Sequence, residues 1–227
     1  MSTATAAPSS YPARLETTPP DKLSRWLWLV KWLLVIPHVF VLVFLWIAFW
    51  VLSVVAFFAI LFTGRYPRGI FTFNVGVLRW SWRVGHYSAS AFATDAYPPF
   101  TLDEVPGYPA SFTVEYPERL SRGLVLVKWW LLAIPHYVVL SLLFGPQVGY
   151  TVEDQTRYQT QIGLIGILVL VAVVVLLFSG RYPRGIYDLV IGLNRWVYRF
   201  GAYAGLMTDA YPPFRLDMGP GEPREGR

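Results

Sequence analysis

The sequence predicts an all-α integral membrane protein of two tandem repeats, each a transmembrane helical hairpin followed by an amphipathic interfacial helix. Three observations predict it. The first is internal repetition: Phe62-Thr63-Gly64-Arg65-Tyr66-Pro67-Arg68-Gly69-Ile70 returns as Phe178-Ser179-Gly180-Arg181-Tyr182-Pro183-Arg184-Gly185-Ile186. Asp95-Ala96-Tyr97-Pro98-Pro99-Phe100 returns as Asp209-Ala210-Tyr211-Pro212-Pro213-Phe214, and Val30-Lys31-Trp32 with Ile36-Pro37-His38 returns as Val127-Lys128-Trp129 with Ile134-Pro135-His136. Such duplication marks a repeated structural unit. The second is two apolar runs: residues 26–62 hold only Lys31, His38 and Ser53 as clearly polar side chains, and residues 162–178 hold none. A bilayer span needs about 20 such residues. The third is composition: 15% charged residues against 55% hydrophobic, where soluble domains carry about 25% charged. With a mean hydropathy of +0.43, lipid accounts for this deficit better than a large core does.

Taken in order, residues 1–14 form an expected disordered N-terminus, rich in Ala, Ser, Thr and Pro. Repeat 1 covers 15–103. Pro106-Gly107-Tyr108-Pro109 marks a linker at 104–115. Repeat 2 covers 116–217, with a polar insertion at 145–161 that carries Glu153, Asp154 and Arg157, and a disordered tail follows at 218–227. No cleavable leader is expected, since the first apolar run is too long and lacks a small-residue cleavage site.

The insertion splits the apolar sequence of repeat 2 into 124–144 and 162–178, whereas repeat 1 runs unbroken through 26–62. As one straight helix that run would reach about 55 Å, far beyond a hydrocarbon core of about 30 Å. It therefore turns back on itself, with Pro37 and Pro135 as kinks. Basic residues flank both runs: Lys22, Arg25, Lys31, Arg65 and Arg68 in copy one, and Arg119, Arg122, Lys128, Arg181 and Arg184 in copy two. The positive-inside rule then places the termini in the cytoplasm and the insertion outside, giving four crossings in two parallel repeats. The alternative is one crossing per repeat, with 23–36 and 120–134 as interfacial helices. The repeats are then inverted, or the second apolar piece is re-entrant.

After each Gly-Arg-Tyr-Pro-Arg-Gly a narrow polar stripe recurs at helical spacing. It comprises Thr72, Gly76, Arg79, Arg83, His86 and Ser90 in copy one, and Asp188, Gly192, Arg195, Arg199 and Ala202 in copy two. With aromatic and aliphatic residues on the other faces, this predicts a helix lying in the bilayer surface.

These motifs together resemble a bacterial membrane-protein family, common in actinobacteria, known as domain of unknown function DUF4389. The resemblance covers both repeats. Copy two departs where Thr72 becomes Asp188 and Leu78 becomes Asn194. The resemblance implies a bacterial integral membrane protein and supplies no activity, so function has to come from the residues; with the crossings read above, the expected location is the bacterial plasma membrane, multi-pass.

Zero cysteines exclude disulfides and thiolate chemistry. The net charge of +5 sits at the ends of apolar runs, which suits anionic headgroups and not nucleic acid. No phosphate-binding glycine loop, zincin motif or serine elbow is present, and Asp95 and Asp209 lack a catalytic partner, so no enzyme and no cofactor is expected. The expected function is a non-enzymatic membrane module that binds anionic lipid headgroups, a partner membrane protein or further copies of itself. Arg65, Arg68, Arg181 and Arg184 flank the membrane, and Arg79, Arg83, Arg195 and Arg199 form like-charged pairs four apart; both sets are headgroup candidates. One alternative is a small oligomeric transporter or channel. Another is a haem- or metal-binding protein using His38 and His136, which a twofold packing of the repeats would bring face to face.

Overall fold

Each repeat is built on a helix pair joined through Gly-Arg-Tyr-Pro-Arg. The computed structural model describes residues 11–20, 22–145, 147–152, 155–160 and 162–217, with the backbone path alone for 147–160. In repeat 1, α1 (Trp28–Leu34) leads into α2 (Ile36–Thr63), and α3 (Arg68–Tyr87) folds back along α2. The antiparallel register is read from three hydrogen bonds: Asn74 Nδ2 donates to Ser53 Oγ (3.2 Å), Trp46 Nε1 to Ser81 Oγ (3.1 Å) and Trp80 Nε1 to His38 Nδ1 (3.1 Å). Pro37 lies in the first turn of α2, where a missing N–H costs nothing, so it starts a helix and does not kink one. The chain reverses at Gly64, whose φ of 70° ends α2 in a left-handed cap, with its N–H on Ile60 O at 2.8 Å.

Repeat 2 follows the same plan with α4 (Leu124–Val127), α5 (Ile134–Phe144), α6 (Leu164–Ser179) and α7 (Arg184–Ala204). Here the insertion forms an antiparallel hairpin, β3 (Gln147–Val152) with β4 (Gln155–Thr160); Glu153 and Asp154 lie outside the described residues. The hairpin does not separate two crossings. Helices α5 and α6 abut where Gly145 meets Gly163. A Cβ on Gly163 would lie 2.3 Å from Gly145 N, Leu143 O and Phe144 C. Both helices pack on α7, so together they form one interrupted rod equivalent to α2.

This overturns the two-hairpin, four-crossing expectation. Among the described residues one helix, α2, is long and apolar enough to cross a membrane, and α5 and α6 are shorter. Nor is the fold all-α. Strand β1 (Ala13–Thr17) pairs antiparallel with β2 (Ala110–Val114), inside the stretch expected to be a linker. The pairing Leu15↔Phe112 lies at the centre of this ribbon. Both side chains are buried, alternating with outward-facing Arg14, Glu16 and Ser111.

The ribbon lies across α3 and α7 and reveals the symmetry. Arg79 Nε donates to Phe112 O (2.9 Å), while Arg195 Nε donates to Leu15 O (3.3 Å). The strand that opens each repeat thus packs on the other repeat's helix. Helices α3 and α7 run antiparallel: Tyr66 OH, before α3, donates to Gly205 O after α7 (3.2 Å), and Tyr182 OH, before α7, donates to Ala91 O after α3 (2.7 Å). The repeats are therefore inverted about a pseudo-twofold axis through the Leu15–Phe112 pair. Both helices were expected at a bilayer surface. Instead they are the centre of the core, with Phe71, Val75, Val77, Leu78, Trp82, Tyr187, Val190, Ile191, Leu193 and Trp196 buried. A helix apolar on most faces buries those faces, and large apolar side chains stabilise by about 1.5–3 kcal/mol each when buried.

Candidate functional site

The repeated motifs find one another within each repeat. Lys31 Nζ reaches Asp95 Oδ1 (2.7 Å) and Thr94 O (2.6 Å), and Lys128 Nζ reaches Asp209 Oδ1 (2.9 Å) and Thr208 O (3.0 Å). The second oxygen of each aspartate accepts the N–H of Ser24 or Ser121, both at 2.6 Å. The lysines are 2% and 0% exposed. Burial pushes both ammonium groups below the ordinary lysine range, and the hydrogen bond to aspartate pulls each back. The pair ties the segment ahead of each apolar helix to the loop after each core helix.

His38 and His136 do not face each other. Each sits in its own repeat's aromatic box. His38 stacks on Phe100 at 3.9 Å between centroids, with Trp80 and Tyr97 beside it. His136 packs against Trp196, Phe200, Tyr211 and Phe214. His38 Nδ1 accepts from Trp80 Nε1 at 3.1 Å, and His136 Nδ1 lies 3.3 Å from Tyr211 OH. Nε2 of each ring is buried and finds no hydrogen-bond partner among the described residues. No group of three or more His, Cys, Asp or Glu among the described residues is placed to hold a metal ion. The Asp-Ala-Tyr-Pro-Pro-Phe motif thus serves packing. Its Asp holds the lysine, and its Tyr and Phe box the histidine.

Arg79, Arg83, Arg195 and Arg199 form the inner face of the polar stripe and hold backbone. Arg79 Nη1 donates to Leu102 O (3.0 Å) and Arg195 Nη1 to Leu216 O (3.1 Å). Arg83 donates to Thr101 O, and Arg199 Nη1 to Arg215 O at 3.4 Å. Gly76 and Gly192 let the same segments approach, since a Cβ would lie 2.8 Å from Leu102 Cβ and 2.9 Å from Leu216 Cβ. Arg83 is 1% exposed. These four guanidiniums are turned to backbone carbonyls, and Arg79 also reaches exposed Glu104 (3.1 Å).

Arg65, Arg68, Arg181 and Arg184 are exposed, and inversion supplies them with basic neighbours from the other repeat. Arg122 lies over Gly64, its Nε 3.5 Å from where a Cβ would be, and Arg25 lies over Gly180 with Nη2 at 2.5 Å from the equivalent point. Arg65, Arg119 and Arg122 line one cavity with Thr63, Gly64 and Leu120, of about 490 Å³. Arg181 and Arg184 line the other with Gly180, Tyr182 and Tyr187, of about 430 Å³. Among the described residues none of these arginines forms an ion pair. The sequence alone points to half of each cluster. The other half lies in the opposite repeat and becomes visible only once the repeats are known to be inverted.

One buried group has no counterpart. His86 is 0% exposed, packs edge-on to Trp82 and finds no hydrogen-bond partner for either ring nitrogen among the described residues. Burial, aided by the positive field of Lys31, holds its pKa down at about 3. The equivalent position is Ala202.

Comparison with known proteins places the chain. The profile of the family described as "Domain of unknown function (DUF4389)" matches residues 25–101 and 158–215, two segments consistent with two tandem copies, and the chain belongs to that family. No curated protein and no solved structure matches it.

Proposed function

We propose, for this member of a family with no assigned activity, a non-enzymatic membrane module that binds anionic lipid. One observation carries the reading: the apolar faces of α2 and α6 are left exposed and end in arginines that form no ion pair among the described residues. Val39, Phe40, Val43, Ile47, Trp50, Val54, Phe58 and Phe62 are exposed along α2, as are Ile167, Leu170, Val171, Val174 and Phe178 along α6. Exposed patches of this extent mark a membrane or protein interface. Acyl chains cover the rods, and the arginine clusters meet phosphate, for which the planar guanidinium fork is suited. Exposed Trp26, Trp32, Trp129 and Trp130 sit at headgroup depth.

Flotation with vesicles tests this reading. The purified protein should float with neutral phosphatidylcholine vesicles and bind more tightly when phosphatidylglycerol is added. The R25Q/R65Q/R122Q/R181Q variant should lose that added affinity, by about fivefold per arginine at about 1 kcal/mol each. Retention that is indifferent both to lipid charge and to these four residues would contradict the headgroup assignment.

A further inference from the structure

We infer that the rods lie in the plane of one leaflet and do not cross the bilayer, so that both arginine clusters engage headgroups of the same monolayer. The inference rests on the proposed membrane reading and adds its geometry.

The molecule is layered. On α3, Ser81, Val84 and Trp80 face α2, whereas Arg79 points to roughly the opposite side, toward the ribbon. One surface of the molecule is therefore apolar rod, the middle is α3 with α7, and the far surface is ribbon. That far surface carries charge at the middle of the molecule's length. The Arg14–Glu115 pair (3.1 Å) lies on the ribbon, within three residues of the central Leu15–Phe112 pair. Arg79 reaches exposed Glu104 at 3.1 Å from the middle of α3.

Were α2 to run across a membrane, the antiparallel α3 and the ribbon on it would share its depth. The exposed charges on Arg14, Glu115 and Glu104 would then face hydrocarbon at the bilayer midplane, where ionised groups are strongly disfavoured. The β3–β4 hairpin adds an independent objection. It leaves the second rod between α5 and α6, at the point equivalent to the middle of α2. It is a two-stranded sheet of Gln-, Thr- and Arg-bearing sequence with an open edge on each side. Open sheet edges are not tolerated in contact with hydrocarbon. With the rods lying flat, both conflicts disappear: the ribbon and its ion pairs face water, and the hairpin leaves the rod along the interface. Inversion then puts an arginine cluster at each far end of the apolar surface, both at headgroup level of one monolayer. In a crossing arrangement they would sit on opposite surfaces.

The chain has no cysteine, so two can be introduced without background. Lys22 and Glu118 are exposed and flank the two clusters. The K22C/E118C variant is reconstituted into sealed phosphatidylcholine–phosphatidylglycerol vesicles, treated with an impermeant maleimide and read by intact mass spectrometry. A flat protein carries two labels when it sits on the outer leaflet and none when it sits on the inner one. A crossing, inverted protein carries one label in either orientation. A distribution of zero and two supports the inference; a dominant singly labelled species overturns it and leaves the membrane reading standing. Protein that fails to float with the vesicles overturns both.

Discussion

Replacing Asp209 by Asn tests whether the lysine–aspartate clamps fix the ends of each repeat. The substitution keeps shape and leaves an oxygen that still accepts the Ser121 N–H, now 2.6 Å from Asp209 Oδ2. It removes the carboxylate bonded to Lys128, whose side chain is 0% exposed and would retain Thr208 O and the face of Tyr203. Stranding a buried charge in this way costs about 3–5 kcal/mol. Because Asp209 is itself 29% exposed, water reaches the pair and the lower end, about 3 kcal/mol, is expected. At about 2–4 °C per kcal/mol for a chain of this size, the Tm in detergent should fall by about 6–12 °C, followed by circular dichroism at 222 nm. The K128M/D209N double variant should recover part of the loss, since an apolar replacement removes both buried ions at once. A D209N shift below about 2 °C, with the double variant no better, would refute the clamp as a source of stability.

Other expectations follow from single positions. Gly163→Ala places a Cβ 2.3 Å from the backbone of residues 143–145, so monodisperse protein should be lost by size-exclusion chromatography, whereas Gly166→Ala, which meets only Ile162 Cγ2 at 3.0 Å, should behave as the parent. Gly180→Ala forces a side chain to φ 71° and onto Arg25; a loss of at least about 1–2 kcal/mol from the left-handed backbone alone should appear in the Tm. His86 has a folded-state pKa of about 3 against 6.5 unfolded, so the unfolded chain takes up the proton first and stability falls as pH drops from about 6.5 toward about 3. The full span is worth about 5 kcal/mol at 1.36 kcal/mol per pH unit. His86→Ala, the residue found at 202, should flatten that acid limb while leaving the slope above pH 7 unchanged.

The repeats and their punctuation are readable in the sequence because motif identity needs no tertiary knowledge: Gly64 and Gly180 end helices, and Arg68 and Arg184 begin them, inside the motif that repeats. The hairpin reading fails because hydropathy does not distinguish a helix that turns from one that starts later. Pro37 starts α2, and the residues before it form the separate short α1. The polar insertion reads as a loop between crossings, since nothing local says that Gly145 and Gly163 close behind it. The core helices mislead for a related reason. Trp82, Leu78 and Trp196 look lipid-facing by pattern, but the ribbon and the opposed helix cover them. The ribbon itself has a signal, Tyr11-Pro12-Ala13 repeated as Tyr108-Pro109-Ala110; these fall in segments expected to be terminus and linker. The arginines divide on the same ground. Sequence alone does not say which guanidiniums meet carbonyls of a distant loop, and that distance is what separates Arg83 from Arg65.

Depth along α2 tests the account most directly. Single cysteines at Phe40, Ile47, Val54 and Phe62, all exposed and on one face of the helix, would each carry a nitroxide in vesicles. Accessibility to oxygen and to a nickel chelate then reports immersion. The account predicts similar depth at all four, within the outer half of one leaflet. A profile with 47 and 54 deepest and 40 and 62 at opposite headgroup regions would show α2 crossing the bilayer and contradict it.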